Sequence, residues 1–130
     1  MTYYHARTVE MPFQEAVERT IASLQAEGFG VLSDIDVAVT LKKKIGVDFR
    51  PYRILGACNP QMAHRALQAE DKIGTMLPCN VIVQELAPER SEIAAVDPVA
   101  SMQAVQNPGL ADTAGKVRAM LMKAIDGVSP

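Results

Sequence analysis

The two segments that decide the fold are YRILGACN at residues 52–59 and LPCNVIVQEL at residues 77–86. The first segment carries apolar residues on both of its alternating sides, which predicts a strand inside a sheet. Asn59 followed by Pro60 indicates a helix start, because the asparagine side chain caps free N–H groups and proline fits the first turn. The second segment places Cys79 and two valines on one side, a pattern typical of a strand that is buried on one face.

The rest of the sequence predicts helices and strands around these two segments. Apolar residues recur at spacings of three and four over residues 12–28 and 110–127, which predicts two amphipathic helices. Further strands are predicted at residues 3–9, 29–35 and 91–96, and further helices at residues 37–45, from 60 onward, and at 97–105. The expected core consists of the apolar sides of these segments: Val17, Ile21, Leu24, Val81, Val83, Val117 and Leu121.

Length and composition indicate one soluble globular domain over residues 1–130. The chain has 48% hydrophobic and 22% charged residues, the balance of a folded protein and not of a disordered tail. Its net charge of -2 provides no field that would attract nucleic acid or an anionic membrane. We therefore expect neither nucleic acid nor a membrane as a partner.

The sequence indicates a cytoplasmic protein. No apolar run approaches the roughly 20 residues that cross a bilayer, and the N-terminal MTYYHARTVEMP lacks the apolar core of a signal peptide. Two cysteines in such a chain are expected to be reduced thiols and not a structural disulfide.

The common catalytic and metal-binding motifs are missing from the sequence. Glycines 28 and 30 form only the fragment GFG, which is not a phosphate-binding loop, and no Gly-x-Ser-x-Gly motif is present. His5 and His64 lack the neighbours that would build a metal site on one helix face. We therefore assign no catalytic residue and no metal ligand, and the sequence leaves any cofactor unknown.

Cys58 and Cys79 are the remaining chemically distinctive residues. Most reduced cysteines are small buried hydrophobic residues, and this is one interpretation of the pair. The other is a thiol pair, since the helix start at Asn59 would stabilise a nearby thiolate and lower its pKa. If the two strands are antiparallel neighbours, the end of one lies beside the start of the next, and the cysteines are then close.

Five segments together resemble a known family over nearly the whole chain. They read GFGVLSDID at 28–36, TLKKKIG at 40–46, YRILGACNP at 52–60, MLPCNVIVQE at 76–85 and AAVDP at 94–98. This pattern resembles the family called domain of unknown function 302. The resemblance implies an α+β fold, in which helices pack on a mainly antiparallel five-stranded sheet of the TATA-binding-protein-like type, and a homodimer.

The residues of this sequence that match the family's motifs are Asp36, Cys58, Asn59, Pro60, Pro78 and Cys79. From these we take Cys58, Asn59, Pro78 and Cys79 as the candidate binding residues. Three functions remain open: a non-enzymatic ligand-binding or accessory homodimer, a thiol-dependent redox or sulfur-handling protein, and a structural dimer module. The expected partners are a second copy of the chain and a small-molecule ligand. Two free sheet edges also favour self-association.

Overall fold

The computed structural model describes residues 2–130. Its strands are β1 (Tyr4–Val9), β2 (Gly30–Asp36), β3 (Tyr52–Cys58), β4 (Cys79–Ala87) and β5 (Arg90–Val96). Its helices are α1 (Phe13–Ala26), α2 (Val37–Ile45), α3 (Pro60–Ala69), α4 (Pro98–Ser101) and α5 (Pro108–Asp126), with a 3-10 helix at Asp71–Met76. The predicted strand at residues 52–58 is confirmed at both ends. The predicted helix at 97–105 is shorter than expected.

The five strands form one antiparallel sheet in the order β1-β5-β4-β3-β2. The predicted α+β class with a five-stranded antiparallel sheet is therefore confirmed. β3 is an interior strand, as its two apolar sides predicted, and β1 and β2 are the edges. No helix within residues 2–130 is both long enough and apolar enough to span a membrane.

Helices α1 and α5 cover one face of the sheet and bury the main core. Of the seven predicted core residues, Val17, Leu24, Val81, Val83, Val117 and Leu121 are buried. Ile21 is half buried and packs against the same core. α1 is followed by a glycine in the left-handed conformation: Gly28 has a φ of +88°, and the N–H of Phe29 donates to the carbonyl of Leu24.

Three helices start with a cap residue followed by proline. Asn59, Asp97 and Asn107 each accept hydrogen bonds from backbone N–H groups of the first turn of α3, α4 and α5. This chemistry fixes where the chain leaves β3 and β5, because the cap holds the first turn in place. α3 and α4 then pack against α5, so that the residues after both strands meet above one end of the sheet.

Val37, Leu41 and Ile45 recur every four residues and predict an apolar stripe on α2, but this stripe does not face the core. Val37 and Leu41 are half buried and Ile45 is 68% exposed, so none of the nine residues of α2 is buried. The helix is fixed by its ends instead: Asp36 caps it, and Gly46 closes it at a φ of +71°. Periodicity identified the helix correctly but not its surroundings.

Candidate functional site

The candidate residues lie where β3 ends and β4 begins. In the sheet register Cys79 pairs with Ala57, the residue directly before Cys58. The predicted antiparallel arrangement is therefore confirmed, and it brings the two cysteines to the same end of adjacent strands. Both are free thiols, Cys79 buried and Cys58 half buried.

A small, partly open cavity of about 40 Å³ lies at this end of the sheet, between the strand ends and the helices α3, α4 and α5. One water molecule needs roughly 10–15 Å³ on this measure of volume, so the cavity has room for only a few atoms. The lining includes three of the four candidates, Cys58, Asn59 and Cys79. Most other lining residues are apolar: Phe29, Ala57, Met62, Ala63, Ala66, Leu77, Pro98, Met102, Leu110, Ala114 and Val117, with Thr113 the exception.

Asn59 holds α3 in position over the cavity. Its Oδ1 accepts a hydrogen bond of 3.2 Å from the N–H of Met62, which caps α3 and aligns the helix over the cavity. Its Nδ2 lies 3.1 Å from the place that a Cβ on Gly28 would occupy. A side chain at position 28 would therefore push against the cap, in addition to the strain of its positive φ.

Pro78 lies away from the cavity and packs across β3 instead. A Cβ on Gly56 would come within 2.7 Å of Pro78 Cγ and within 2.2 Å of Ser33 Oγ. Only glycine fits at position 56, because these two side chains occupy the space above it. The structure thus brings three of the candidates together around the cavity and gives Pro78 a separate packing contact.

The surroundings of Cys79 disfavour its thiolate. Burial, together with the nearby Cys58 thiol, raises the pKa of Cys79 to about 11. Taking a charge out of water is costly, so the buried sulfur keeps its proton at neutral pH. Within residues 2–130, no group of three or more His, Cys, Asp or Glu side chains is placed to hold a metal ion.

Sequence reasoning did not find most of the apolar lining. The spacing of Ala63, Ala66 and Leu67 predicts the apolar face of α3, but Leu67 is 43% exposed and Met62 takes the inward position. A rotation of this kind is not visible in a short helix with few large apolar residues. The methionines were the available signal, since flexible thioether side chains often fill irregular gaps.

A second, shallower concavity of about 370 Å³ lies on the other face of the sheet. We call this surface the open face and define it by the outward side chains of all five strands: Tyr4, Ala6, Thr8, Ser33, Ile35, Tyr52, Ile54, Gly56, Asn80, Ile82, Gln84, Glu92, Ala94 and Val96. The centre of this face is apolar, although the helices α1 and α5 cover only the opposite face of the sheet. The sequence placed Ile82 on this side without showing what would cover it.

Comparisons with known proteins relate this chain to other proteins at the level of family and fold. The model of the family described as Domain of unknown function DUF302 matches residues 5–128. A crystal structure of the uncharacterized conserved protein DUF302 from Bacillus stearothermophilus is similar, with 31% sequence identity and a TM-score of 0.90. The alignment covers 98% of this chain and 99% of that chain. No curated protein matches the chain.

Proposed function

Since the chain belongs to the DUF302 family, we propose that it is a single-domain, cytoplasmic, homodimeric binding protein that takes a small apolar molecule under α3 without catalysing a reaction. The observation that carries this proposal is the small apolar cavity at Cys58 and Cys79. Ligand sites are typically concave and mostly apolar, with a few polar groups that orient the ligand. This cavity has that composition on a small scale.

The lining defines the chemical class of the ligand. Among the described residues that line the cavity, none carries a formal charge at neutral pH, and the polar side chains are those of Asn59 and Thr113. A charged ligand would lose its hydration without gaining an ion pair, which is strongly unfavourable. The ligand is therefore uncharged and compact, with at most one or two hydrogen-bonding groups.

Entry of a ligand larger than a few atoms requires α3 to move. α3 packs mainly on α5 and on the 3-10 helix at Asp71–Met76, while its contacts with the sheet are sparse. It belongs partly to a separate small cluster formed by Ala66, Ile73 and Leu110. A helix with few contacts to the sheet can shift without opening the main core, and Met62 and Met102 can change rotamer around a ligand.

The thiol-dependent alternative has less support. A redox or sulfur-handling thiol reacts as the thiolate, and the raised pKa of Cys79 leaves almost none of it at neutral pH. The cysteines act in our proposal as small apolar wall residues.

Binding can be tested with two uncharged probes of different size, xenon and benzene, both of which enter dry apolar cavities. Methyl NMR should show shifts at Met62 and Met102 with xenon, and weaker binding of benzene because α3 must move. Ala63→Leu would fill the cavity from α3 and should abolish the shifts. Ala119→Leu makes the same change at an exposed position of α5 and should leave binding intact.

The outcomes separate the candidate functions. Equal binding by the Ala63→Leu and Ala119→Leu variants would place the probes elsewhere and contradict the proposed site. Absence of binding by either probe, in a folded protein, would favour the structural dimer module.

A further inference from the structure

The open face has a pattern that points to its partner. We propose that a second copy of this chain docks on it, sheet against sheet, about a twofold axis that runs parallel to the strands and passes over β4. This inference rests on the homodimer in the proposed function and specifies its surface and symmetry. It is carried by the cross-strand register of the open face, by the sizes of the paired residues, and by the charges beside them.

An apolar row crosses all five strands of the open face. In strand order it reads Ala6, Ala94, Ile82, Ile54 and Ile35, each paired with the next in the sheet register. Ile35 is 48% exposed, and the other four are half buried. An uncovered apolar row at the centre of a sheet is unusual for a surface that faces water, and sheets bury such rows against another layer.

The sizes of these residues fit a second copy of the same row. A twofold axis parallel to the strands preserves height along the strands and reverses the strand order. With the axis over β4, Ile82 meets Ile82 of the second copy. Ile54 meets Ala94, and Ile35 meets Ala6. Ile54 and Ile35 therefore each face an alanine, while Ile82 meets its own copy on the axis. Contacts of large residues with small ones let packed layers interdigitate without voids.

The neighbouring row adds a weaker constraint. Tyr4 pairs with Val96 on the β1 and β5 side, and Ser33 pairs with Gly56 on the other side of β4. The rotation places Tyr4 over Ser33, and it places Val96 over the Pro78 side chain that already fills the space above Gly56. This row therefore supplies one contact of a large residue with a small one and one apolar contact between Val96 and Pro78.

The polar side chains beside these rows are also complementary. Arg50 Nε donates to Gln84 Oε1 at 2.8 Å, and Gln84 Nε2 donates to Glu92 Oε1 at 2.9 Å. The cation therefore lies on the β3 side of β4 and the carboxylate on the β5 side. The proposed rotation brings the Glu92 side of one copy toward the Arg50 side of the other, so that opposite charges face each other.

The area is sufficient for a stable dimer. Five strands at about 4.8 Å spacing, with about seven residues at roughly 3.3 Å each, give a face of about 24 by 23 Å. Side-chain relief increases this area toward the roughly 800 Å² per partner of a standard interface. The edges are less suitable, since β2 contains a bulge between Val31 and Ser33 and carries Asp34 and Asp36.

Sedimentation equilibrium of the full chain tests the surface. The wild type should have twice the 14.1 kDa mass of one chain at micromolar concentration. Ile82→Glu places two carboxylates against each other on the axis and should raise the dimer dissociation constant at least 100-fold. Leu67→Glu, at an exposed position on the helical side, should remain dimeric. Circular dichroism checks that each variant is folded.

A mixing experiment tests the axis and does not depend on Ile82. Ala94→Glu and Ile54→Lys should each be monomeric alone, because one charge meets an apolar residue at both contacts. Mixed together they should dimerise, since Glu at position 94 then meets Lys at position 54 and the second contact remains native. A mixture that stays monomeric contradicts the proposed axis.

The remaining outcomes separate the surface from the assembly. A wild-type protein that is monomeric overturns both the homodimer and the proposed surface. A dimer that persists in the folded Ile82→Glu variant overturns the surface and leaves the homodimer standing through another contact, such as an edge.

Discussion

The two faces of the sheet have similar side chains but different surroundings. On the covered face Leu55, Val81 and Ile93 are fully buried beneath α1 and α5. On the open face the neighbouring Ile54 and Ile82 are only half buried. An apolar strand side thus indicates that another layer covers it, but it does not indicate whether that layer belongs to the same chain. The difference between the faces is the basis of the predictions that follow.

The largest expected effect compares adjacent residues of β3. Leu55→Ala removes a fully buried side chain and should lower the free energy of unfolding by about 2–5 kcal/mol. This loss should not depend on protein concentration. Ile54→Ala should cost much less in dilute solution and progressively more as concentration rises, because its cover is the second copy. Urea unfolding at two concentrations 100-fold apart measures both.

A concentration-independent loss of similar size at both positions would contradict this difference between the faces. It would mean that Ile54 is covered by its own chain. Circular dichroism of the folded variants provides the control that neither substitution changes the secondary structure.

A smaller effect concerns Cys79 at the margin of the covered face. Its pKa is raised from 9.0 to about 11, so the folded state keeps a proton that the unfolded chain releases. The stability contributed by the neutral thiol is fully present below pH 9 and is lost as pH rises toward 11. Two pKa units correspond to roughly 2–3 kcal/mol. Wild type should lose about this much relative to Cys79→Ala over that interval.

Parallel stability curves for wild type and Cys79→Ala between pH 8 and pH 11 would show that the thiol is not buried as described. Alkylation at pH 8 provides an independent check. Cys58, which is more exposed, should react first, and Cys79 should react only slowly.

The smallest of these effects concerns the attachment of α4 to α5 beside the cavity. Burial alone would raise the pKa of Asp97, but hydrogen bonds from Arg118 and from the N–H groups of Ala100 and Val99 outweigh it and lower the pKa. Asp97→Asn keeps a cap and removes the charge that Arg118 Nε contacts at 2.9 Å. At pH 7 it should cost about 1 kcal/mol.

The pH dependence of this effect follows from its sign. A lowered carboxyl pKa adds stability above the unfolded value of 3.8, and this stability is lost as pH falls through the folded pKa. The difference between wild type and Asp97→Asn should therefore shrink as pH falls below 3.8. A difference that does not change with pH in this range would assign the effect to packing and not to charge.

Most of the fold could be predicted from sequence because its elements have local signals. Strand β3 and the starts of α3 and α4 were predicted from alternation and from the pairing of a cap residue with proline. The last helix was predicted from residue 110, but Asn107 caps it and it begins at Pro108. The surroundings of α2 and the rotation of α3 could not be predicted. Ile45 and Leu67 are exposed although each lies on the apolar side of its helix, because periodicity identifies a side and not its neighbour.

The candidate site could be predicted only in part. The closeness of Cys58 and Cys79 followed from antiparallel pairing once the strands were identified. The cavity between them and α5 depends on small gaps among residues distant in sequence, such as Phe29 and Leu110, and no periodic pattern encodes such a gap. Pro78 was grouped with the cysteines by its position in the motif, whereas its contact is with Gly56.

The most direct test of the central claim, that a second copy covers the open face, is an isotope-filtered NOE measurement. Dimers are mixed from one copy labelled at isoleucine methyl groups and one labelled at alanine methyl groups. Within a chain Ile54 and Ala94 are separated by β4, about 9.6 Å at 4.8 Å per strand, too far for a strong NOE. We predict a strong NOE between Ile54 of one copy and Ala94 of the other. A two-chain mass without this NOE would contradict the proposed interface.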